Sequence, residues 1–411
     1  MSDAILILGA AAVQIPLIRY IRARGFRTIV VSIPGNYPGF DIADRCVYCD
    51  IRDGQSILSQ VTNEHIVAVL TDQTDLSVPT VADISQKLGL TANNVEVSRY
   101  YSNKFLMRQT CDKIGIENPR YRRLTSPLDA KDWSVYPAVV KPEDNQGSRG
   151  VFLVNSYEQL LNVFAETSSF STRGSVILEE YFAGDEVVVE GFVKEGEYLN
   201  WGIGDRRYFN LNKFFIPSQT IFPTNLNSRL IDKLLSVEKQ LHAHLHPTFG
   251  MIHSEYLVNR ETEEIRLVET ALRGGGVYIS SHLIPLYCGY NNYELLVDTA
   301  LGKNITLSQV EKQLQKKASA YICFYLPEGE IVSIEGIETL QNMQGVCLVD
   351  LAHLKIGDHI ETMRNKTQRL GPILVTAINR EKIESLIHQV QNTLKIEVKC
   401  ADGSIKNIQW T

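Results

Sequence analysis

The 411-residue chain is short of several things that would narrow its role quickly. The apolar stretch near its start, Ala4 to Val13, is too short to span a bilayer, and no basic segment precedes it. A membrane anchor and a signal peptide are therefore not expected, and the chain is expected in the cytoplasm. No block of lysine and arginine stands out and the net charge is −6, so a nucleic-acid partner has no electrostatic footprint. Seven scattered cysteines do not make a disulfide framework. Cys46 and Cys49 form a C-x-x-C, but no second Cys or His pair lies near to complete a zinc site, and the segment reads as a strand. The G-x-G-x-x-G turn of dinucleotide binders is also missing: Gly9-Ala10-Ala11-Ala12-Val13 stands there instead.

What is present alternates strand and helix. Ala4 to Leu8, Thr28 to Ser32, Cys46 to Asp50 and Ile66 to Thr71 read as parallel strands, with a helix carrying Ile15, Leu17, Ile18 and Ile21 after the first. Asp72 and Asp75 follow the fourth strand at its carboxyl end, where such sheets bind ligands. A second region opens near Tyr101. Ser102 is placed to cap a helix through Phe105, Leu106, Met107 and Cys111, stopped by Gly115. Ser156 begins a capping box whose helix turns Leu160, Leu161 and Phe164 inward. From about Thr306 onward, mixed strands and helices carry no recognisable chemical motif.

The candidate chemistry lies in the middle. Lys141-Pro142-Glu143-Asp144-Asn145-Gln146-Gly147-Ser148-Arg149-Gly150 delivers a lysine from a strand into a polar loop with two glycines. Such a loop lets backbone N–H groups approach a polyphosphate; a plain hairpin reads the same way. Lys104 opens a helix, where a surface lysine is the ordinary expectation. Glu179 and Glu180 interrupt the apolar strand Ile177 to Phe182, and Glu186 follows Gly184-Asp185.

The strongest pattern is a hairpin, Met251 to Val258 and Ile265 to Ala271. Alternation puts His253, Glu255 and Leu257 on one face, and Leu267, Glu269, Ala271 and Arg273 on one face of the partner. Glu255 and Glu269 lie at similar distances from the turn and should meet across it. Facing carboxylates are tolerable with a divalent cation between them, and hard oxygen ligands suit Mg²⁺. Arg273, ahead of Gly274-Gly275-Gly276, has the planar fork that binds a carboxylate or acyl phosphate, with the glycines leaving room for substrate.

Taken in order, these pieces resemble the ATP-grasp superfamily, in the branch of carbamoyl-phosphate synthase, biotin carboxylase and the L-amino acid ligases. The resemblance covers roughly residues 1 to 305 and, more weakly, the rest. It implies an α/β ATP-grasp fold with a Rossmann-like domain over 1–100, an ATP-grasp domain over 101–305 with its lid at about 125–185, and an α+β subdomain over 306–411. It also implies ATP with Mg²⁺, or Mn²⁺ in its place. Lys104, Lys141, Gly147 and Ser148 would hold nucleotide phosphates. Glu179, Glu180 and Phe182 would hold adenine and Glu186 the ribose. Glu255 and Glu269 would be the metal ligands and Arg273 the catalytic residue. Arg206, His253 and Gly274, with the segment Phe214 to Gln219, are candidate substrate contacts. Many members carry asparagine two residues after the second metal glutamate; Ala271 stands there, which points towards the amino-acid-ligating relatives.

The function so implied is ATP-dependent joining of a carboxylate to an amine through an acyl phosphate, with an amino acid among small-molecule substrates. The partners expected are those substrates and, at most, a second copy of the chain. Two alternatives stay open: a bicarbonate- or formate-using carboxylase or purine-pathway enzyme, and an ATP-binding regulatory protein without turnover.

Overall fold

The computed structural model describes residues 2–145, 147, 149–211, 215–363 and 368–410. Its first sheet is parallel and joins β1 (Ala4–Leu8), β2 (Arg27–Ser32), β3 (Arg45–Tyr48) and β4 (Ile66–Leu70) in the order β3-β2-β1-β4. Every residue of β1 is buried, as a central parallel strand covered on both faces requires. Leu17, Ile18 and Ile21 pack down from the helix Ile15–Ala23.

A second sheet makes a lid from β5 (Tyr121–Leu124), β6 (Ala138–Pro142), β7 (Phe152–Val154) and β8 (Val176–Glu180), ordered β5-β8-β6-β7. The helix Lys104–Ile114 leads into it and ends at Gly115, whose φ of 74° is left-handed. Its cap is Asn103, whose side chain accepts from the Leu106 N–H, and not the expected Ser102. Ser156 does cap the helix Tyr157–Ser169, turning Leu160 and Phe164 inward. Leu161 faces solvent instead, because one residue is a step of about 100° around a helix.

The largest sheet has eight strands: β9 (Asp185–Lys194), β10 (Glu197–Tyr208), β11 (Pro217–Phe222), β12 (Phe249–Asn259), β13 (Glu264–Ala271), β14 (Ala318–Phe324), then, beyond a strand β15 (Gly329–Glu335) of another sheet, β16 (Val346–Val349) and, after β17 (His359–Ile360), β18 (Leu370–Ala377). Their order is β13-β12-β9-β10-β11-β14-β18-β16. The expected division at 305 therefore falls between strands of one continuous sheet. The C-terminal part adds three strands to it and builds a small sheet of its own from β17, β15, β19 (Lys395–Lys399) and β20 (Ile405–Asn407).

One face of the large sheet is covered by the helix Ser228–Leu245 through Leu230, Leu234, Leu241 and Leu245. The other face forms the floor of a cleft of about 1240 Å³, roofed by the lid sheet. Among the described residues no helix is long and apolar enough to cross a membrane.

Candidate functional site

The floor is set by strand register. Glu255 on β12 stands directly opposite Glu269 on β13, and both line the cleft. Two carboxylates so placed repel, and each is met by a cation from elsewhere. Lys104 Nζ lies 2.9 Å from Glu269 Oε2 and donates to the Asn145 carbonyl at 2.7 Å. Arg206 NH1 lies 2.5 Å from Glu255 Oε1 and 2.5 Å from Glu186 Oε1, and the Tyr208 hydroxyl donates to the other Glu186 oxygen. Burial works to raise the Glu269 carboxyl, but Lys104 outweighs it and holds the group below its ordinary value. At Glu186 burial prevails and the carboxyl is pushed up despite Arg206. No group of three or more His, Cys, Asp or Glu among the described residues is arranged to enclose a metal. The opposed pair fits a hard cation whose remaining ligands come from phosphate and water, which is how Mg²⁺ is commonly held.

Ala271 pairs with His253, not with a further carboxylate or amide. His253 is buried, with Nδ1 against Glu190 Oε1 and Nε2 3.2 Å from Glu255 Oε1. Burial alone would lower its imidazole, yet Glu190 and Glu255 raise it to about 9. His253 is thus a floor residue joined to Glu255, and it does not line the cleft.

The roof carries Lys141, whose Nζ is 2.8 Å from Glu179 Oε2. Arg108 grips the same carboxylate through Nε at 2.8 Å and NH2 at 3.1 Å, and donates to the carbonyls of Leu267 and Val268 on β13. Burial would raise the Glu179 carboxyl, but Arg108 and Lys141 bring it down to about 2. Lys141 moves down as well: burial, with Arg108 and Lys104 pressing like charge on it, exceeds the pull of Glu179. The Glu179 carboxylate, expected at adenine, is therefore engaged in clamping Lys141. The Glu180 N–H already donates to the Arg120 carbonyl at 2.8 Å. Phe182 lines the cleft with the Arg266 guanidinium 5.0 Å from its ring centroid. Gly147 also lines the cleft, at a φ of 83°. Ser148 and Phe214 lie outside the described residues.

Arg273 departs most from expectation. Its guanidinium makes a two-pronged bond to Asp75, from the loop after β4, at 2.6 and 3.2 Å, and it does not line the cleft. Nor do the first two glycines after it leave open room, although a Cβ on Gly276 would meet nothing closer than 3.4 Å. A Cβ on Gly274 would come within 2.3 Å of Ser280 Cβ and 2.4 Å of Asp72 Oδ1, and one on Gly275 within 2.5 Å of Glu190 Oε1. They let the chain pass tightly against buried polar groups. Arg207, beside Arg206, points outward to Glu384 at 2.8 Å.

The structure thus brings Lys104, Lys141, Gly147, Glu179, Glu180, Phe182, Glu186, Arg206, Glu255 and Glu269 around one cleft and leaves His253, Arg273 and Gly274 behind its lining. Arg108, Tyr208 and Glu190 were not anticipated. Only Arg108 left a signal, four residues after Lys104 and so on the same helix face.

Comparison with known proteins bears on the domains the chain carries. An ATP-grasp domain is matched over residues 134–281 and an L-amino acid ligase C-terminal domain 2 over residues 322–399. Dapdiamide A synthase of Enterobacter agglomerans is 22% identical over 357 residues, 83% of this chain and 83% of its own length. Alanine–anticapsin ligase of Bacillus subtilis strain 168 is 23% identical over 264 residues, 58% of this chain and 55% of its own. The L-amino acid ligase structure from Bacillus licheniformis superposes with a TM-score of 0.80 at 18% identity, covering 96% of this chain and 98% of that one.

Proposed function

We propose that this chain, which carries an ATP-grasp domain and a C-terminal domain of the L-amino acid ligase type, is an ATP-dependent ligase that joins the carboxylate of one substrate to the amine of another, with an amino acid among them. The observation that carries the reading is the opposed Glu255–Glu269 pair on the floor of a cleft whose roof presents Lys141. Alanine–anticapsin ligase, a relative named for joining an amino acid, points the same way.

Mg²⁺-ATP would supply the phosphoryl group that converts a carboxylate into an acyl phosphate. Glu255 and Glu269 would hold the metal, and Lys104 and Lys141 would neutralise phosphate oxygens, with Gly147 letting the loop backbone come close. Glu186 would meet the ribose. The amine nitrogen then attacks the acyl carbon, the bond from that carbon to the phosphate oxygen breaks, and phosphate leaves. Both steps gather negative charge, so these residues act by electrostatics and positioning. The lid sheet over the cleft would keep water from the acyl phosphate. Arg273 would serve it only after exchanging Asp75 for substrate.

The test is ADP release with a pool of the twenty L-amino acids, and separately with bicarbonate or formate. Release that needs amino acids, with an amide product heavier than either reactant, is expected. Release driven by bicarbonate or formate, or ATP binding without turnover under every condition, overturns the reading.

A further inference from the structure

The two cations on the cleft floor stand where a metal would have to enter. Glu255 Oε1 is held by Arg206 NH1 at 2.5 Å and faced by His253 Nε2 at 3.2 Å, while Glu269 Oε2 is held by Lys104 Nζ at 2.9 Å. Each carboxylate of the opposed pair thus already has an oxygen on a positive group supplied by the chain. Arg206 stands on β10, paired with Thr220 on β11, and its side chain is only 6% exposed, so the guanidinium is confined to this spot. Arginine keeps its charge when buried. Lys104, Glu186, Arg206, Glu255 and Glu269 all line the cleft.

Like charges repel, and more strongly in a buried site than in water. A bare divalent cation approaching Glu255 and Glu269 meets Arg206 and Lys104 in bonding contact with its intended ligands. A nucleotide changes that balance, because it brings acceptors for both. Its phosphates would draw Lys104, which in the free protein spends its donors on Glu269 and the Asn145 carbonyl. Arg206 spans Glu186, the ribose position, and Glu255, the metal position, through a single nitrogen, and its Nε is buried without a hydrogen-bond partner. Buried polar groups in folded proteins are nearly always satisfied, and a phosphate oxygen is an acceptor of the right charge.

We propose that Arg206 and Lys104 are built-in counter-ions that keep free divalent cations off the Glu255–Glu269 pair until a nucleotide recruits them, so that the metal binds tightly only with ATP present. This rests on the ligase reading for the identity of the metal position. The probe is Mn²⁺, titrated calorimetrically into the full-length, nucleotide-free protein. Wild type should bind it at least ten-fold more weakly than Arg206→Met, which removes the charge and keeps the length, whereas Arg206→Lys should stay near wild type. Adding Glu269→Ala to Arg206→Met should abolish the gain, which locates the ion at the pair. Unfolding midpoints verify folding. Lys104→Met, which frees Glu269 from the other side, should also tighten Mn²⁺, and it decides the matter if Arg206→Met does not fold. ATP should bind wild type at least ten-fold more tightly with Mn²⁺ than without. Equal Mn²⁺ affinity in wild type and a folded Arg206→Met overturns the proposal and leaves the ligase reading standing. A gain that is as large in Arg206→Lys, or that survives Glu269→Ala, does the same. A wild type whose ATP affinity is indifferent to Mn²⁺ has no metal position beside the nucleotide, which overturns the ligase reading and this proposal with it.

Discussion

Both faces of the eight-stranded sheet bury a histidine beside a glutamate, but they are built to different ends. On the helix-covered face, Glu238 accepts from His242 Nε2 at 3.0 Å and from the Tyr256 hydroxyl at 2.5 Å, while His242 Nδ1 meets the Tyr101 hydroxyl at 2.8 Å. The Tyr198 ring stacks on the same imidazole at 5.1 Å. Each of these polar ends has a partner, inside a packed apolar cluster. On the cleft side, Glu190 Oε2, Arg206 Nε and Thr220 Oγ1 are buried without one. A closed network fixes the fold, whereas an open one costs stability until a ligand completes it.

The sharpest way to break that comparison is Glu269→Ala. Removing it relieves Glu255 but leaves Lys104 without its carboxylate, so the denaturant midpoint should fall only modestly while ADP release falls ~10³-fold, the scale of losing a preorganised electrostatic group. A large loss of stability with turnover retained would place the cleft side in the same class as the helix-covered face. The converse variant is Glu238→Ala. It strands His242 and Tyr256 in the core and should cost roughly 3–5 kcal/mol, as breaking a buried pair does. Its KM for ATP should not change in whatever fraction folds; a shift in KM would tie that network to the site.

The contrast also explains how much of the site could be read from the sequence. The facing of Glu255 and Glu269 was legible because alternation and one short turn fix it within twenty residues. The cations that hold them were not. Lys104 reaches Glu269, and Arg206 reaches Glu255, across stretches of chain that no local period encodes. Glu179 was legible as a polar residue in an apolar strand, but its engagement by Arg108 and Lys141 depends on a helix and a strand meeting it from either side. Gly274-Gly275-Gly276 read as room for substrate, and only the packing tells that Asp72 and Glu190 fill the space beside Gly274 and Gly275. The first sheet followed from its apolar runs. The joining of β14, β18 and β16 to the large sheet did not, since strand order across an edge leaves no mark in either strand.

The roof provides an intermediate case, because Arg108, Lys141 and Glu179 form a closed ionic group beside the nucleotide position. Glu179 falls from the usual 4.5 to about 2 on folding. A carboxyl depressed in this way contributes stability that is full above its unfolded value and is lost as pH falls through the folded one. The shift corresponds to about 3 kcal/mol at most. The stability gap between wild type and Glu179→Gln, measured by denaturant, should therefore be widest at pH 5 and narrow steadily towards pH 2. A gap independent of pH would mean that the clamp acts through packing and not through charge.

The smallest effect is the most discriminating. Thr220 holds a hydroxyl in the core with nothing to bond, between Arg206 and Tyr321. If that hydroxyl were part of the scaffold, replacing it would cost stability. As a donor waiting for an acceptor it carries a desolvation penalty in the free protein, and Thr220→Val, close in shape, should remove it. The ligand-free variant should then gain roughly 1 kcal/mol in denaturant unfolding, while its KM for the amino acid pool rises and its KM for ATP stays put. Gain in stability together with loss of substrate affinity is the signature of a group held for a ligand. A variant that is simply less stable would instead return Thr220 to the same class as Tyr256.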